Sequence, residues 1–430
     1  MARFILGYCC CYSKMKNIKN IRFDFSIESI SKFTYPNVTK NDLLRAIDEL
    51  EHFERSTRTL DRSKSFQYFQ LQSLIILLLN IMLALWFLVL SITDSETIRL
   101  YAGDIFVSSS ETKVLNYFCH MGAIIPCMGK IFILYLNHSE KKSFLDIFVE
   151  YKESLKGPDA ESSLLSNREN LFRKQYYFLI KLYNYAPFVV VFFLLILHTS
   201  MVTINYSSLK LYIMQIIHIA IFVVFYYFIA ASALWLLFIV VVAALFACNS
   251  IDSLTTECGN LNSITNYTWA NALSFYHKPN LLSNWLDCIN MQFAWIFMAL
   301  YVYLAFHNIL IFFYLTQFTF AYFGVPLLLI FTNVLILTIL YSSVYLGALV
   351  GQKVHLLHLA FYRISIDTGN LFNIKVALKK LHFMEQIQAR KMGLYVGNYI
   401  YVDNNNILLL TLECGSLCLL FCSNINRNNQ

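Results

Sequence analysis

A chain of 430 residues that is 58% hydrophobic, 16% aromatic and only 14% charged holds more apolar side chain, and fewer charges, than a soluble domain does. That balance excludes a soluble fold and predicts a membrane protein. The net charge of +7 is accounted for by cytoplasmic loops facing anionic lipid, so membrane lipids are an implied partner and nucleic acid is not.

Residues 1–65 carry 12 Lys and Arg against 8 Asp and Glu and read as a cytoplasmic N-terminal region. Met1 to Cys11 is apolar but too short for a signal peptide, and it lacks small cleavage-site residues. The run Cys9 to Cys11 is either a chance cluster or, if cytosolic, an acylation site. From Asn41 to Arg58, Leu43, Leu44, Ile47, Leu50 and Phe53 recur at helical spacing among charges. The spacing predicts a surface helix lying against the membrane or a later loop.

Seven membrane spans follow, at Phe66 to Ile92, Val114 to Leu136, Leu182 to Ile204, Leu211 to Ala247, Trp285 to Tyr314, Val325 to Val350 and Leu394 to Cys422. Between Lys210 and Asp252 lie 41 residues without a formal charge, and between Asp287 and Lys353 lie 65. The first run holds one over-long span and the second must hold two. At 1.5 Å per residue the fourth span is about 55 Å of helix, so it should protrude from a hydrocarbon core of about 30 Å. Lys130, near the inner end of the second span, is expected to snorkel to the cytoplasmic interface.

The fold expected is therefore all-α, a seven-transmembrane bundle, and its orientation follows from charge. Connections on the N-terminal side carry 20 Lys and Arg, whereas those on the opposite side carry 4. By the positive-inside bias the N-terminus is cytoplasmic and the C-terminus extracellular, inverted relative to G-protein-coupled receptors. On this plan residues 66–350 form a six-helix ligand-binding bundle and 351–393 a cytoplasmic anchor region. Residues 394–424 form a pore-lining seventh helix, and 425–430 an extracellular tail.

The closing stretch carries the strongest signal. Leu371, Ile374, Leu378, Leu381, Met384 and Ile387 recur every three or four residues, with Lys375, Lys379, Lys380, Arg390 and Lys391 on the remaining surface. This pattern suits a subunit anchor or a plain membrane-surface helix. After Asp403, the apolar run Ile407 to Cys422 has 16 residues, about 24 Å of helix, which only just crosses a bilayer core. Glu413, Leu417, Leu420 and Asn424 fall on one stripe of it. An acid, two leucines and an amide suit a water-facing wall: an acidic ring favours cations, and leucine rings close a pore by dewetting. Glu413 could instead pair across subunits or snorkel. One short helix cannot enclose water, so a pore built from it requires several symmetric copies.

The segment from Leu378 to Leu394, then Tyr399-Ile-Tyr-Val-Asp403 and the apolar final helix, resembles the C-terminal signature of insect gustatory receptors. These belong with the odorant receptors in the insect chemoreceptor superfamily. Where that family ends in Thr-Tyr, five apolar residues and Gln-Phe, this chain has Ser416-Leu417, Cys418 to Cys422, and Ser423-Asn424. Leu417, Ser423 and Asn424 depart from the pattern. The resemblance implies a homo- or hetero-tetrameric ligand-gated, non-selective cation channel in the plasma membrane, with a small-molecule tastant as ligand and Leu420 near the gate.

A ligand site should be a cavity in the outer half of the bundle with aromatic walls and a few polar groups. Candidates are Asn116, Tyr117 and His120 in the second span, and His198, Thr199 and Tyr206 at the end of the third. Tyr212, Gln215 and His218 follow in the fourth, and Tyr314 and Gln317 in the fifth. Such groups suit a sugar, an amino acid or a bitter apolar compound, although each singly also suits interhelical packing. Cys414, Cys418 and Cys422 share one helix face, as small packing residues do.

No zinc-spaced cysteine pair, HExxH, phosphate-binding glycine loop or nucleophile elbow occurs, so neither enzyme activity nor a cofactor or metal is expected. Two rivals remain. A secondary transporter should show repeats and broken helices in matching halves, and a G-protein-coupled receptor should show the opposite charge bias.

Overall fold

The computed structural model describes residues 37–53, 66–104, 106, 112–138, 146–156, 164–205, 209–263, 269–317, 324–367, 381–382, 385, 392–396, 400–402, 405, 412 and 415–416. Helix α1 (Lys40–Phe53) opens on a reciprocal cap. Thr39 Oγ1 accepts from the Asp42 amide at 3.2 Å, and the Asp42 carboxylate accepts from the Thr39 amide at 3.0 Å. Its apolar stripe, Leu43, Ala46, Ile47 and Leu50, is fully buried. The stripe docks on two later helices, α5 (Asp146–Lys156) and α6 (Glu169–Asn205). Lys152 on α5 pairs with Asp48 at 3.1 Å, and Lys181 on α6 pairs with Glu49 at 2.8 Å. Of the two placements expected for this helix the second holds: it lies against the connection between the second and third spans, which is itself helical.

Between these lie α2 (Phe66–Ile92), the short α3 (Glu96–Tyr101) and α4 (Thr112–His138). After α6 come the three longest helices, α7 (Leu209–Ser263), α8 (Trp269–Gln317) and α9 (Gly324–Asp367). Helices α2, α4, α6, α7, α8 and α9 contain the first six expected spans. Among the described residues, five helices are long and apolar enough to cross a membrane, the apolar stretches being Leu74–Ile92, Ser166–Ile196, Tyr212–Asn260, Phe297–Thr316 and Val325–Tyr362. The remaining long helix, α4, carries Pro126 and Lys130 within its apolar stretch.

Helices α6 to α9 run well past the apolar segments that mark them. Helix α7 has 55 residues, about 80 Å, so the expected protrusion of the fourth span is present. Residues 248–284, expected to be a loop, are mostly helix. Charges end the hydropathy signal there but not the helix, because they are paired across helices. Lys353 on α9 pairs with Asp252 on α7, and Lys278 on α8 pairs with Glu257 on α7 at 2.9 Å. Ser166 donates to the same Glu257 at 2.6 Å. Around these pairs Phe148, Phe172, Phe246 and Trp285 pack edge to face, and Ile251, Leu254 and Leu282 are wholly buried. Lys130 is 1% exposed, so its side chain is buried within the protein and does not snorkel to an interface.

The first part of the expected seventh span is not helical. Tyr395–Val396 (β1) pairs antiparallel with Ile400–Tyr401 (β2) in a tight hairpin. Aromatic and β-branched residues dominate its strands, which favours extended backbone over helix. Beyond it, Asn405, Leu412, Gly415 and Ser416 are helical and exposed. Glu413, Leu417, Leu420, Asn424, the anchor stripe from Leu371 to Met384 with Ile387, and the clusters Cys9 to Cys11 and Cys414 to Cys422 lie outside the described residues, apart from Leu381, Leu412, Gly415 and Ser416.

No other described element covers the outward stripes of α2 and α6. Leu78, Met82, Leu85 and Val89 are exposed on one, and Tyr185, Phe188, Val189 and Phe192 on the other. Inward of the first stripe, Leu83, Phe87 and Leu90 are buried. That division is what a bundle dissolved in hydrocarbon requires, since lipid solvates the outer face.

Candidate functional site

Inside the bundle is a cavity of about 350 Å³, at the lower end of the range for small-molecule pockets. Phe87 on α2, Phe118 on α4, Tyr226 on α7, Tyr301 and His307 on α8 and Thr332 on α9 contribute to its wall. The space exists because small residues meet there. Gly122 on α4 and Ala230 and Ala233 on α7 line it, and a Cβ added at Gly122 would meet no atom within 4 Å.

At one end the buried Phe106, in the loop after α3, contributes to the wall. Asp104 shapes this loop by accepting from the Phe106 amide and from Thr112 Oγ1, both at 2.9 Å. Burial holds the Asp104 carboxyl above the usual range, against the opposing effect of these bonds. The loop is tied to α7 through the end of α3: Gln215 Nε2 donates to the Leu100 carbonyl at 3.2 Å, and His218 Nε2 lies 3.1 Å from the Tyr101 carbonyl. Gly103 turns with φ +81°, and a Cβ there would sit 2.7 Å from the His218 ring, so both conformation and space require glycine.

The other end is floored by the hairpin, through Leu394, Tyr395 and Val402. Asn290 on α8 holds the hairpin at two points, donating to the Gly393 carbonyl at 2.8 Å and accepting from the Tyr395 amide at 3.0 Å. The Val402 amide donates to the Leu394 carbonyl at 3.0 Å, and Tyr401 Oη to the Met392 carbonyl at 3.3 Å. Gly347 and Gly351 give α9 the flat surface on which Val402 and Tyr401 rest. Asn290→Ala removes both side-chain bonds and should loosen the hairpin locally by about 1–3 kcal/mol. Hydrogen exchange checks this: protection at the Tyr395 amide falls while the core of α7 is unchanged.

The expected ligand residues divide by position. Asn116, Gln215 and His218 come together at the α3 loop, Asn116 being buried beside Asp104. His120 Nδ1 lies 2.7 Å from the Ala84 carbonyl and links α4 to α2. Tyr314 meets the Phe118 ring edge-on at 5.0 Å. Tyr117, Tyr212 and Thr199 are exposed. None of these eight lines the cavity. Tyr206 and the side chains of His198 and Gln317 lie outside the described residues.

The cavity begins deeper along the same helix faces. On α8 the face bearing Tyr314 runs inward through Ile311 and His307 to Leu304 and Leu300, which line it. On α7 the stripe from Gln215 through His218 and Phe222 continues to Tyr226, Ala230 and Ala233 at three- and four-residue steps. The signal that could have found the level is the small residues Gly122, Ala230 and Ala233 among bulky neighbours. Polarity drew attention to the ends of the helices instead.

Long apolar helices crossing around a buried cavity, with uncovered apolar stripes outside, define a multi-pass helical membrane protein. No protein-family model and no curated protein sequence matches the chain. Its fold is that of an insect olfactory receptor. OR5 from Machilis hrabei in complex with eugenol superimposes with a TM-score of 0.63 at 10% identity, over 89% of this chain and 99% of the receptor. A second structure of OR5 from Machilis hrabei gives a TM-score of 0.61 at 11% identity, over 89% of this chain and 98% of the receptor.

Proposed function

We propose that the chain is a chemosensory receptor subunit of the insect chemoreceptor superfamily, acting as a ligand-gated, non-selective cation channel of the gustatory type. A small molecule bound in the bundle cavity opens a pore lined by the closing helix of four copies in the plasma membrane. The observation that carries this reading is the hairpin. Its residues Leu394, Tyr395 and Val402 floor the cavity, and the chain runs on from Val402 into the closing helix with no long linker. Occupancy of the cavity therefore bears on the root of the pore helix.

The C-terminal signature supports the gustatory assignment, and the likeness of fold to an olfactory receptor supports an odorant-type subunit as the second reading. In either, Glu413, Leu417, Leu420 and Asn424 face the pore. Expressed alone, the protein should pass an agonist-evoked cation current, with Glu413→Gln lowering cation selectivity and Leu420→Ala altering block and resting leak. Currents unchanged in selectivity and block by both substitutions place the pore elsewhere.

The cytoplasmic N-terminus is tested by glycosylation. Of the acceptor sites at Asn37, Asn137, Asn205 and Asn266, only Asn205 lies outside in this topology. Mass spectrometry of protein from an insect cell line should find glycan there or nowhere. Modification at Asn137 or Asn266 reverses the orientation.

A further inference from the structure

The cavity wall is hydrocarbon over most of its area, and its few polar groups differ in what they have left to offer. Thr332 Oγ1 donates to the Leu328 carbonyl at 2.9 Å and Ser343 Oγ to the Ile339 carbonyl at 2.7 Å, so both protons are committed to helix α9 itself. His307 is different. It is 2% exposed, lines the cavity, and its Nδ1 has no hydrogen-bond partner. Among the described residues that line the cavity, it carries the buried side-chain nitrogen or oxygen left unpaired.

The imidazole plane is set by its neighbours. It stacks nearly parallel on Tyr303, 11° between planes at 6.0 Å, and meets the edge of Phe118 at 5.6 Å. A half-turn about χ2 exchanges ring nitrogen for ring carbon without leaving that plane, so either nitrogen can be turned to the cavity at little steric cost. A neutral imidazole offers one donor and one acceptor. A buried group of this kind, unpaired in an apolar wall, is satisfied by a ligand that brings one matching polar group and otherwise hydrocarbon.

We infer that His307 is the polar anchor of the cavity and that the ligand class is a compact, mostly hydrocarbon molecule bearing a single hydroxyl or carbonyl. Of the three classes the sequence left open, this selects the apolar one. A hexose carries five hydroxyls, and each one left unpaired in an apolar site weakens binding about tenfold, which removes sugars. An amino acid would bury two formal charges opposite no formal charge on the wall. The inference rests on the reading of the bundle cavity as the ligand site.

The test compares phenylpropanol, propylbenzene and glucose as probes on the purified full chain and on His307→Phe, by titration calorimetry in detergent. Phenylalanine keeps the ring and removes both nitrogens. Wild type should prefer phenylpropanol over propylbenzene by about tenfold, and the preference should fall to about one in His307→Phe. The ratio between the two proteins cancels partitioning of the probes into detergent. His307→Gln, which restores a hydrogen-bonding group, should recover part of the preference and so separates anchoring from a packing defect. A preference that survives in His307→Phe, or glucose binding as tightly as phenylpropanol, overturns the assignment of His307 and of the ligand class while leaving the cavity as the site. Failure of wild type to bind either aromatic probe overturns the cavity reading and this inference together.

Discussion

Alanine at Gly347 or Gly351 should dislodge the hairpin and abolish ligand-evoked current, whereas alanine at Gly259 should do no harm. The chemistry of the substitution is the same at all three, and the surroundings decide its sign. A Cβ on Gly347 would lie 2.8 Å from Val402 Cγ1 and 3.1 Å from Val402 Cβ, atoms too close to the backbone to swing away. On Gly351 it would lie 2.5 Å from Tyr401 Oη and 3.3 Å from the Val402 carbonyl, and Tyr401 is held by its bond to Met392. Relieving either contact moves the hairpin off α9 at a cost of about 1–3 kcal/mol. That loss is local, because α9 packs on α7 mainly through other residues. At Gly259, within α7, nothing lies within 4 Å of the added carbon, and the helix gains about 0.5–1 kcal/mol from the smaller entropy of its unfolded state. Thermal melting in detergent should show Gly259→Ala raised, with Gly347→Ala and Gly351→Ala only slightly lowered. Current recordings should show the first responsive and the other two silent. Full responses in both hairpin-facing variants would remove the hairpin from the path between ligand and pore.

Phenylalanine at Gly122 should fill the cavity and eliminate ligand binding without unfolding the protein. Overpacking is destabilising where a new side chain meets a filled core, but the space ahead of Gly122 is open. The ring would project among Phe118, Tyr226 and Tyr301, replacing void with aromatic contacts. A cavity of about 350 Å³ cannot hold both that ring and a ligand of similar size, so affinity should fall by on the order of a hundredfold. Stability should hold or rise slightly, since cavity walls regain lost contacts. The check is paired melting and titration: a variant that melts normally and still binds with wild-type affinity shows that the ligand enters elsewhere.

These two results separate the roles of the cavity's ends. Filling from Gly122 removes the ligand, while crowding at Gly347 leaves it able to bind and unable to act. Asn290 belongs with the second group, because it holds the hairpin at two points without itself lining the cavity.

Much of the architecture is legible in the sequence. Hydropathy located the six long helices, since burying an apolar run in lipid is a property of the run itself. The stripe Leu43, Ile47, Leu50 announced α1, and the length of the fourth span announced a helix reaching beyond the bilayer. The partner of α1 was not legible, because a buried stripe names no surface. Nor was the extent of α7, α8 and α9. Charges such as Asp252, Glu257, Lys278 and Lys353 look like loop residues singly and become helix-compatible only once paired across 101 and 21 residues of chain.

The site divided in the same way. Its helix faces followed from three- and four-residue spacing, but its level did not. Polar residues such as Gln215 and His218 marked places where a helix must satisfy a neighbouring backbone, whereas the cavity is an absence of side chain, made where Gly122, Ala230 and Ala233 meet. The sequence from Tyr395 to Val402 is apolar enough for helix or strand, and contact with Asn290, Gly347 and Gly351 selects the strand pair. Composition and periodicity alone determined that this is a membrane bundle and where its six long helices lie, because these depend on each segment's own solvation. The lengths of the helices, the depth of the cavity and the hairpin beneath it were decided only by tertiary structure, because each depends on groups far apart in sequence satisfying one another.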